Sequence, residues 1–394
     1  MMKRIWTICL IIPMTAACGP SGLVAQEAKG GRKQVPNRWI AGETFRLKGY
    51  DVTLSAPVLV AESKTRHLSM PVVTLLANGD LVVVMTDHPD VLVYPNRGVA
   101  SFSSDGGLSW TDPVAFKHNG SVNLRLPAGD ELMLPFYLAL RPDGALAAPY
   151  NLIRRGERRL ETIDGVEVTG WPEPVGSTMA DGTLVGGFGF DGQTVKLKDG
   201  SYFTTLYGGY KSGGIRVVGA ESRDGIRWKV VGTIARRSGK VNERGEGPTE
   251  AALCRLKDGR LMCIYRLDSG FTYGQTWSGD EGRSWTEPVE CRGPRSVEPS
   301  LAVLEDGAVL LSGGRPGLKL WLDRDGTGQD WQEVDMGKYR YKFIKNSDTT
   351  GYTELAILDE SHLLYAYDYG RASDIDKNGP GYRVEVVRIT LEKK

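Results

Sequence analysis

The chain has 394 residues, 41% of them hydrophobic, with 50 glycines and 20 prolines. That is enough apolar material for a real core, and the glycine, proline and aromatic content suits many short strands and turns better than long helices. Lys and Arg (49) nearly balance Asp and Glu (48), for a formal net charge of +1. The charge pattern therefore offers nothing to a nucleic-acid partner, and no run of like charges forms a tail.

The N-terminus reads as a targeting segment. "MMKR" is a basic n-region, and "IWTICLIIPM" is an apolar h-region too short to span a bilayer as a mature helix. "TAAC", ending at Cys18, is similar to a bacterial lipoprotein cleavage site, which implies lipidation of Cys18. Simple secretion with cleavage near "LVAQ" is the alternative. Either way the protein is expected outside the cytoplasm, in the periplasm or at the cell surface, with membrane contact only through the lipid. Residues 1–18 are read as the signal, 19–44 as a Gly- and Lys-rich tether, and 45–394 as the folded domain.

A hairpin signal then recurs: an apolar strand, a tight turn and a second apolar strand. The copies are "VVTLLANGDLVVV", "LALRPDGALAAPY", "TVKLKDGSYFTTLY", "LCRLKDGRLMCIY", "LAVLEDGAVLLSG" and "LAILDESHLLYAY", about fifty to sixty residues apart. The last has lost its turn glycine. In the fourth copy a two-residue Asp258-Gly259 turn would set Cys254 opposite Cys263. That register allows a disulfide, with two free core thiols as the alternative. No CxxC pair or His cluster suggests a metal, and no cofactor is implied.

A Trp segment follows five of the hairpins, at Trp110, Trp171, Trp228, Trp285 and Trp331. The sixth runs out of chain, and the missing strand is matched at the N-terminus by "LSAPVLV" (54–60). Such a period with four strands per unit predicts an all-β, six-bladed β-propeller closed by an N-terminal strand in its last blade. "SSDGGLSW" (103–110) and "SGDEGRSW" (278–285) precede two of the Trp strands, with looser copies before others. A motif repeated around a ring cannot mark one site. Its Asp accepts backbone N–H groups and its Gly tolerates positive φ, so it is read as scaffold.

This is the Asp-box pattern, and with six hairpin units the chain, over residues 45–391, resembles the sialidase (neuraminidase) superfamily. The resemblance implies an exo-glycosidase that retains configuration and acts on a glycan. It places the site on the propeller axis, with three Arg for the substrate carboxylate, a Tyr nucleophile, a Glu that activates it and an Asp acid/base. "EAALCRLKDGRLMCIYR" is similar to the family segment that would make Glu250 the base and Arg266 a carboxylate-binding Arg. Arg315 follows the next hairpin as Arg266 does. Glu298 stands eight residues before its turn Asp, as Glu250 does, and is read as orienting an Arg. "GYTEL" matches the nucleophile segment at Tyr352. A phenol suits an anionic sugar, because a carboxylate nucleophile would be repelled by the substrate's own carboxylate. The loop after the first hairpin offers Asp90, or Asp87, as acid/base, with His88 as another acid.

The first blade departs from the family. "SMPVV" puts Ser69 where an Arg is expected, and Arg66, three residues upstream, is the candidate to replace it. The Gly-aromatic loop "GGFGFDG" (186–192) is read as substrate-lining or a turn. Three readings follow: a sialidase proper, a related enzyme acting on another acidic or deoxy sugar by hydrolysis or elimination, and a non-catalytic glycan-binding propeller. A monomer is expected in each.

Overall fold

The computed structural model describes residues 38–237, 246–268, 272–334, 336, 350–370 and 381–394. The signal segment and Cys18 lie outside them. The described chain is all β, with its sheets arranged as a propeller. Its first strands are β1 (Ala41–Leu47), β2 (Tyr50–Ser55) and β3 (Val58–Ser63). Regular structure therefore begins inside the stretch 19–44 expected to be tether, and Trp39 already packs on a core cluster.

Strands β4 (Ser69–Leu75), β5 (Leu81–Thr86), β6 (Arg97–Ser103) and β7 (Val114–Lys117) form one antiparallel sheet. An eleven-stranded sheet follows. Its first part includes β8 (Val122–Arg125), β9 (Glu131–Leu134), β10 (Ala139–Leu140), β11 (Leu146–Ile153), β12 (Glu161–Thr169), β13 (Ser177–Ala180) and β14 (Thr183–Gly186). Its second is β15 (Phe188–Lys196), β16 (Tyr202–Gly209), β17 (Ile215–Ser222) and β18 (Arg227–Arg236). Two further four-stranded sheets are β19 (Thr249–Arg255), β20 (Leu261–Arg266), β21 (Thr272–Ser278), β22 (Val289–Arg295), and β23 (Ser300–Val303), β24 (Val309–Gly313), β25 (Lys319–Asp323), β26 (Trp331–Val334). The last sheet holds β27 (Thr353–Ile357), β28 (His362–Tyr369) and β29 (Tyr382–Lys393) with β1–β3.

All six hairpin units are present, but they occupy five hydrogen-bonded sheets rather than six separate blades. The reason is a parallel pairing of outer strands, Glu167↔Arg227 through Thr169↔Lys229, which fuses the second and third units through β12 and β18. The ring closes as expected. Strand β29 pairs β3 through its first half (Val384↔Ala61) and β2 through its second (Thr390↔Thr53). Closure places the C-terminal strand β29 inside the last sheet and leaves β1 as its outer edge.

Each hairpin turns in three residues, not two. In the fourth, Leu256 N–H donates to Arg260 O (2.8 Å) and Gly259 N–H to Leu256 O (2.9 Å), with Gly259 left-handed at φ 90°. That is a type I turn followed by a left-handed residue. It shifts the register by one, so Cys254 faces Met262 and Cys263 faces Leu253. A one-residue slip puts the two thiols on opposite faces of the sheet. Both are free, each in a different core cluster, which corrects the disulfide expectation. In the sixth hairpin, where Gly is lost, the Asp359 carboxylate accepts from Ser361 N–H (2.9 Å) and pairs with His362 Nδ1 (2.8 Å).

The core lies between adjacent units. Phe190 and Leu206 pack with Leu146, Tyr150 and Val166 of the neighbouring unit. The Asp boxes fix the outer turns. Asp105 accepts from Ser109 N–H (2.9 Å) and Ser103 Oγ (2.8 Å), and Trp110 Nε1 donates to Gly107 O (3.0 Å). The second copy repeats these bonds with Asp280, Ser284 and Trp285, and the Ser284 bonds hold the Asp280 carboxyl down to about 2. Trp228 is buried between sheets with its Nε1 on Gly225 O (2.9 Å). Replacing a fully buried Trp by Ala leaves a large void and an orphaned acceptor. Trp228→Ala should therefore cost about 3–5 kcal/mol in urea unfolding, and Trp110→Ala, at a half-buried ring, clearly less. Equal losses would contradict this account of the packing.

Candidate active site

The inner strands of five units deliver one residue each to the axis from the same position ahead of the turn. These are Met70 before Gly79, Asp191 before Gly200, Glu250 before Gly259, Glu298 before Gly307 and Tyr352 before Ser361. Three of them, Met70, Glu250 and Glu298, have left-handed backbone at φ 53°, 39° and 38°. Glu250 is the extra residue of a β-bulge, since Thr249↔Arg266 is followed by Ala251↔Tyr265. The same irregularity surrounds Met70, between Ser69↔Thr86 and Val72↔Val84. A bulge bends the strand and re-aims one side chain, here at a cost in backbone strain.

Glu250 is the hub. Its Oε1 accepts from the Tyr352 hydroxyl (2.6 Å) and from Arg266 Nη1 (2.5 Å), and its Oε2 from the Glu298 backbone N–H (2.9 Å). Arg266 also reaches Glu246 through Nη2 (2.8 Å). Burial opposes the Arg266 charge, but Glu250, Tyr352 and Glu246 outweigh it and hold the guanidinium protonated. Burial, with the charges of Glu250 and Glu298, holds the Tyr352 phenol protonated well above its usual value. The phenol is thus a neutral donor to a carboxylate.

Asp191 was missed as a site residue in the sequence, although the same count back from the turn selects it. It sits in the Gly-aromatic run, accepting from Ala251 N–H (2.9 Å) and Ser121 Oγ (3.1 Å). Gly192 next to it makes this possible: at φ 83°, an added Cβ would lie 1.8 Å from Ala251 O. Burial and the Glu250 charge push Asp191 up to about 7. Glu298 is hydrogen-bonded to Asp191, and burial with the Asp191 and Glu250 charges drives it further up, so Glu298 keeps the proton between them. Its carboxyl therefore pairs with an Asp rather than orienting an Arg. Burial and the Asp191 charge lift Glu354 to about 8, although Ser300 Oγ donates to it (2.8 Å).

A cavity of about 130 Å³ opens beside these groups. Its wall includes Tyr352, Asp191, Glu298 and Glu354 together with the apolar Met70, Val72 and Phe136. The path of the loop after β5 separates its acidic residues. Thr86, His88 and Asp90 all line the cavity. Asp87, between them, turns away to Arg97 (Oδ1–Nε 3.7 Å) because Thr86 pairs with Gly98. The structure thus brings Asp90 to the site and removes Asp87. His88 is held by Pro89 O and Asn96 Oδ1, both at 2.7 Å.

The expected anion clamp is not assembled on this cavity. Arg66 is exposed, in a turn whose N–H groups bond Ser63 Oγ, and is no part of the wall. Ser69 is buried, and Asp368 accepts from Met70 N–H (3.0 Å). Arg315 lies beside Gly351, and its Nη2 donates to Thr350 O. Arg266 and Arg315 both approach the Tyr352 neighbourhood, but neither lines the cavity.

These features define a β-propeller of the sialidase fold. Among solved structures, the chain is similar to a protein of unknown function from Dyadobacter fermentans, with a TM-score of 0.68 and 19% identity over 86% of this chain and 99% of that one. It is also similar to the Hadza microbial sialidase Hz136 (TM-score 0.58, 14% identity, 83% and 66% of the two chains). The NanB sialidase of Streptococcus pneumoniae gives 0.54 and 14%, over 85% and 70%. The chain spans 57% of the Trypanosoma rangeli sialidase it matches. No protein-family model and no curated protein matches it.

The carboxyl cluster has a stability consequence. Between about pH 4 and 8 the folded chain holds protons on Glu354 and Asp191 that the unfolded chain has released, so stability is full below that window and falls as pH rises through it. Glu354→Gln should flatten that fall, by at most about 1.4 kcal/mol per pH unit, in urea titrations run from pH 5 to 8. An unchanged slope would contradict the shift assigned to Glu354.

Proposed function

We propose that the protein is an exported retaining glycosidase of the sialidase type that releases a terminal sugar from a glycan. Tyr352 is its nucleophile and Glu250 the base. The observation that carries this reading is the 2.6 Å bond from the Tyr352 hydroxyl to Glu250. Export rests on the basic and apolar segments at the N-terminus and, through Cys18, on the lipoprotein-like cleavage site.

Because the phenol is held protonated, it cannot wait as a phenolate. Its proton passes to Glu250 Oε1 as Tyr352 Oη attacks the anomeric carbon and the glycosidic bond breaks. Arg266, bonded to the same oxygen, holds the Glu250 carboxylate aimed at the phenol until that moment. Asp90 is assigned the acid that protonates the leaving oxygen. It then takes a proton from the water that displaces the sugar from Tyr352, while Glu250 returns the first proton to the phenol. Two displacements retain configuration.

A terminal acidic sugar such as sialic acid is the substrate implied by the family resemblance. Arg266 and Arg315 would have to leave their protein acceptors to hold it. A glycan-binding propeller without catalysis would keep the scaffold but has no need of a phenol bonded to a charged Glu–Arg pair.

Glu250→Gln should lower kcat on an aryl glycoside by about 10²- to 10⁴-fold, and Tyr352→Phe by at least as much, with the circular dichroism spectrum unchanged. Release of 4-nitrophenol across a panel of aryl glycosides measures it. Undiminished turnover by Tyr352→Phe would remove the nucleophile assignment.

A further inference from the structure

We infer that the sugar bound in this cavity is uncharged, and that carboxylate-bearing sugars are disfavoured there. The inference rests on the reading of the cavity as a glycosidase site and concerns its ligand class.

Among the described residues, the cavity wall includes no Arg or Lys, while it includes Asp90, Asp191, Glu298 and Glu354. The nearest guanidiniums are engaged elsewhere. Arg266 is held by two carboxylates, Glu250 and Glu246, and Arg315 donates to the Thr350 carbonyl. The first-blade position that would supply another Arg is Ser69, whose neighbour Met70 faces the cavity instead. An entering carboxylate would lose its hydration beside Asp90 and Asp191 and would meet no Arg or Lys among the described residues of the wall, which is unfavourable.

The same wall fits an uncharged sugar. Glu298 and Glu354, which burial and neighbouring charge hold protonated, supply donors, and the Asp191 oxygens supply acceptors for hydroxyls, each strengthened by a dry setting. Met70, Pro71, Val72, Val91 and Phe136 belong to the same wall and offer apolar surface for a C–H face. Phe136 is braced edge-on by Tyr137 (4.8 Å between ring centres) and by the tilted ring of Tyr207 (5.8 Å). A pyranose or deoxypyranose has those two kinds of surface, and nothing in this wall calls for a third.

The role of a phenol also changes under this inference. A neutral nucleophile avoids adding one more charge to a site already crowded with carboxyls, whatever the charge of the sugar.

Calorimetric titration of the full-length chain tests it directly. One set of probes is the methyl glycosides of galactose, glucose, fucose, rhamnose and arabinose. The other is N-acetylneuraminic acid and methyl glucuronide. At least one uncharged glycoside should bind at least about tenfold tighter than either carboxylate sugar. Equal or tighter binding of a carboxylate sugar would overturn the inference, and so would failure of every uncharged probe to bind at millimolar concentration. Turnover is scored separately on the matching 4-nitrophenyl glycosides. Binding of an uncharged sugar without turnover fails the glycosidase reading and leaves the ligand class standing. Turnover of an aryl sialoside fails the ligand class and leaves the glycosidase reading standing.

Discussion

The carboxylate of Glu250 is the contact on which the centre depends. It joins three sheets: its own, the next through the Glu298 N–H, and the last through Tyr352. A buried carboxylate is tolerable only when paired and fully bonded. Here Arg266, from the partner strand of the same hairpin, supplies the charge, and two further donors complete the set. The strained backbone at Glu250 persists because this network and the bulge fix it from several sides. Loss of Arg266 would leave the Glu250 charge uncompensated, and loss of either other donor would leave the carboxylate one bond short.

Around that hub, charge is unevenly distributed. Arg266 pairs with Glu250 and does not line the cavity, while the cavity wall carries Asp191, Glu298 and Glu354. Mutual repulsion and desolvation are relieved by protonation, so this wall acts as hydrogen-bonding groups more than as ions. The fold is shared with sialidases, but the fold does not carry the clamp. Ser69 and the outward Arg66 show how one blade can keep its architecture and drop a recognition element.

Much of this was legible in the sequence because a ring repeats itself. The turns located the inner strands, and the resemblance to the sialidase segments marked Glu250 and Tyr352 on them. Asp191 was legible by the same count but masked by the glycines beside it, which suggested a loop. Other features were not legible for physical reasons. A three-residue turn and a two-residue turn read alike in "KDG", yet they place Cys254 and Cys263 on opposite faces. The parallel pairing of β12 with β18 has no turn to announce it. Asp87 and Asp90 are equivalent in type, and only the path of the loop after β5 separates them. The direction of Arg66 is set by a Ser63-capped turn that the sequence does not mark as decisive.

The central claim is that a phenol, not one of the surrounding carboxyls, takes the sugar. The most direct measurement is to trap the intermediate with a 2-deoxy-2-fluoro glycosyl fluoride of a sugar that the enzyme turns over, then map the labelled peptide by mass spectrometry. The account predicts one glycosyl group per chain, attached to Tyr352. A label on Asp191, Glu298 or Glu354, or turnover of the parent glycoside with no trapped adduct, would contradict it.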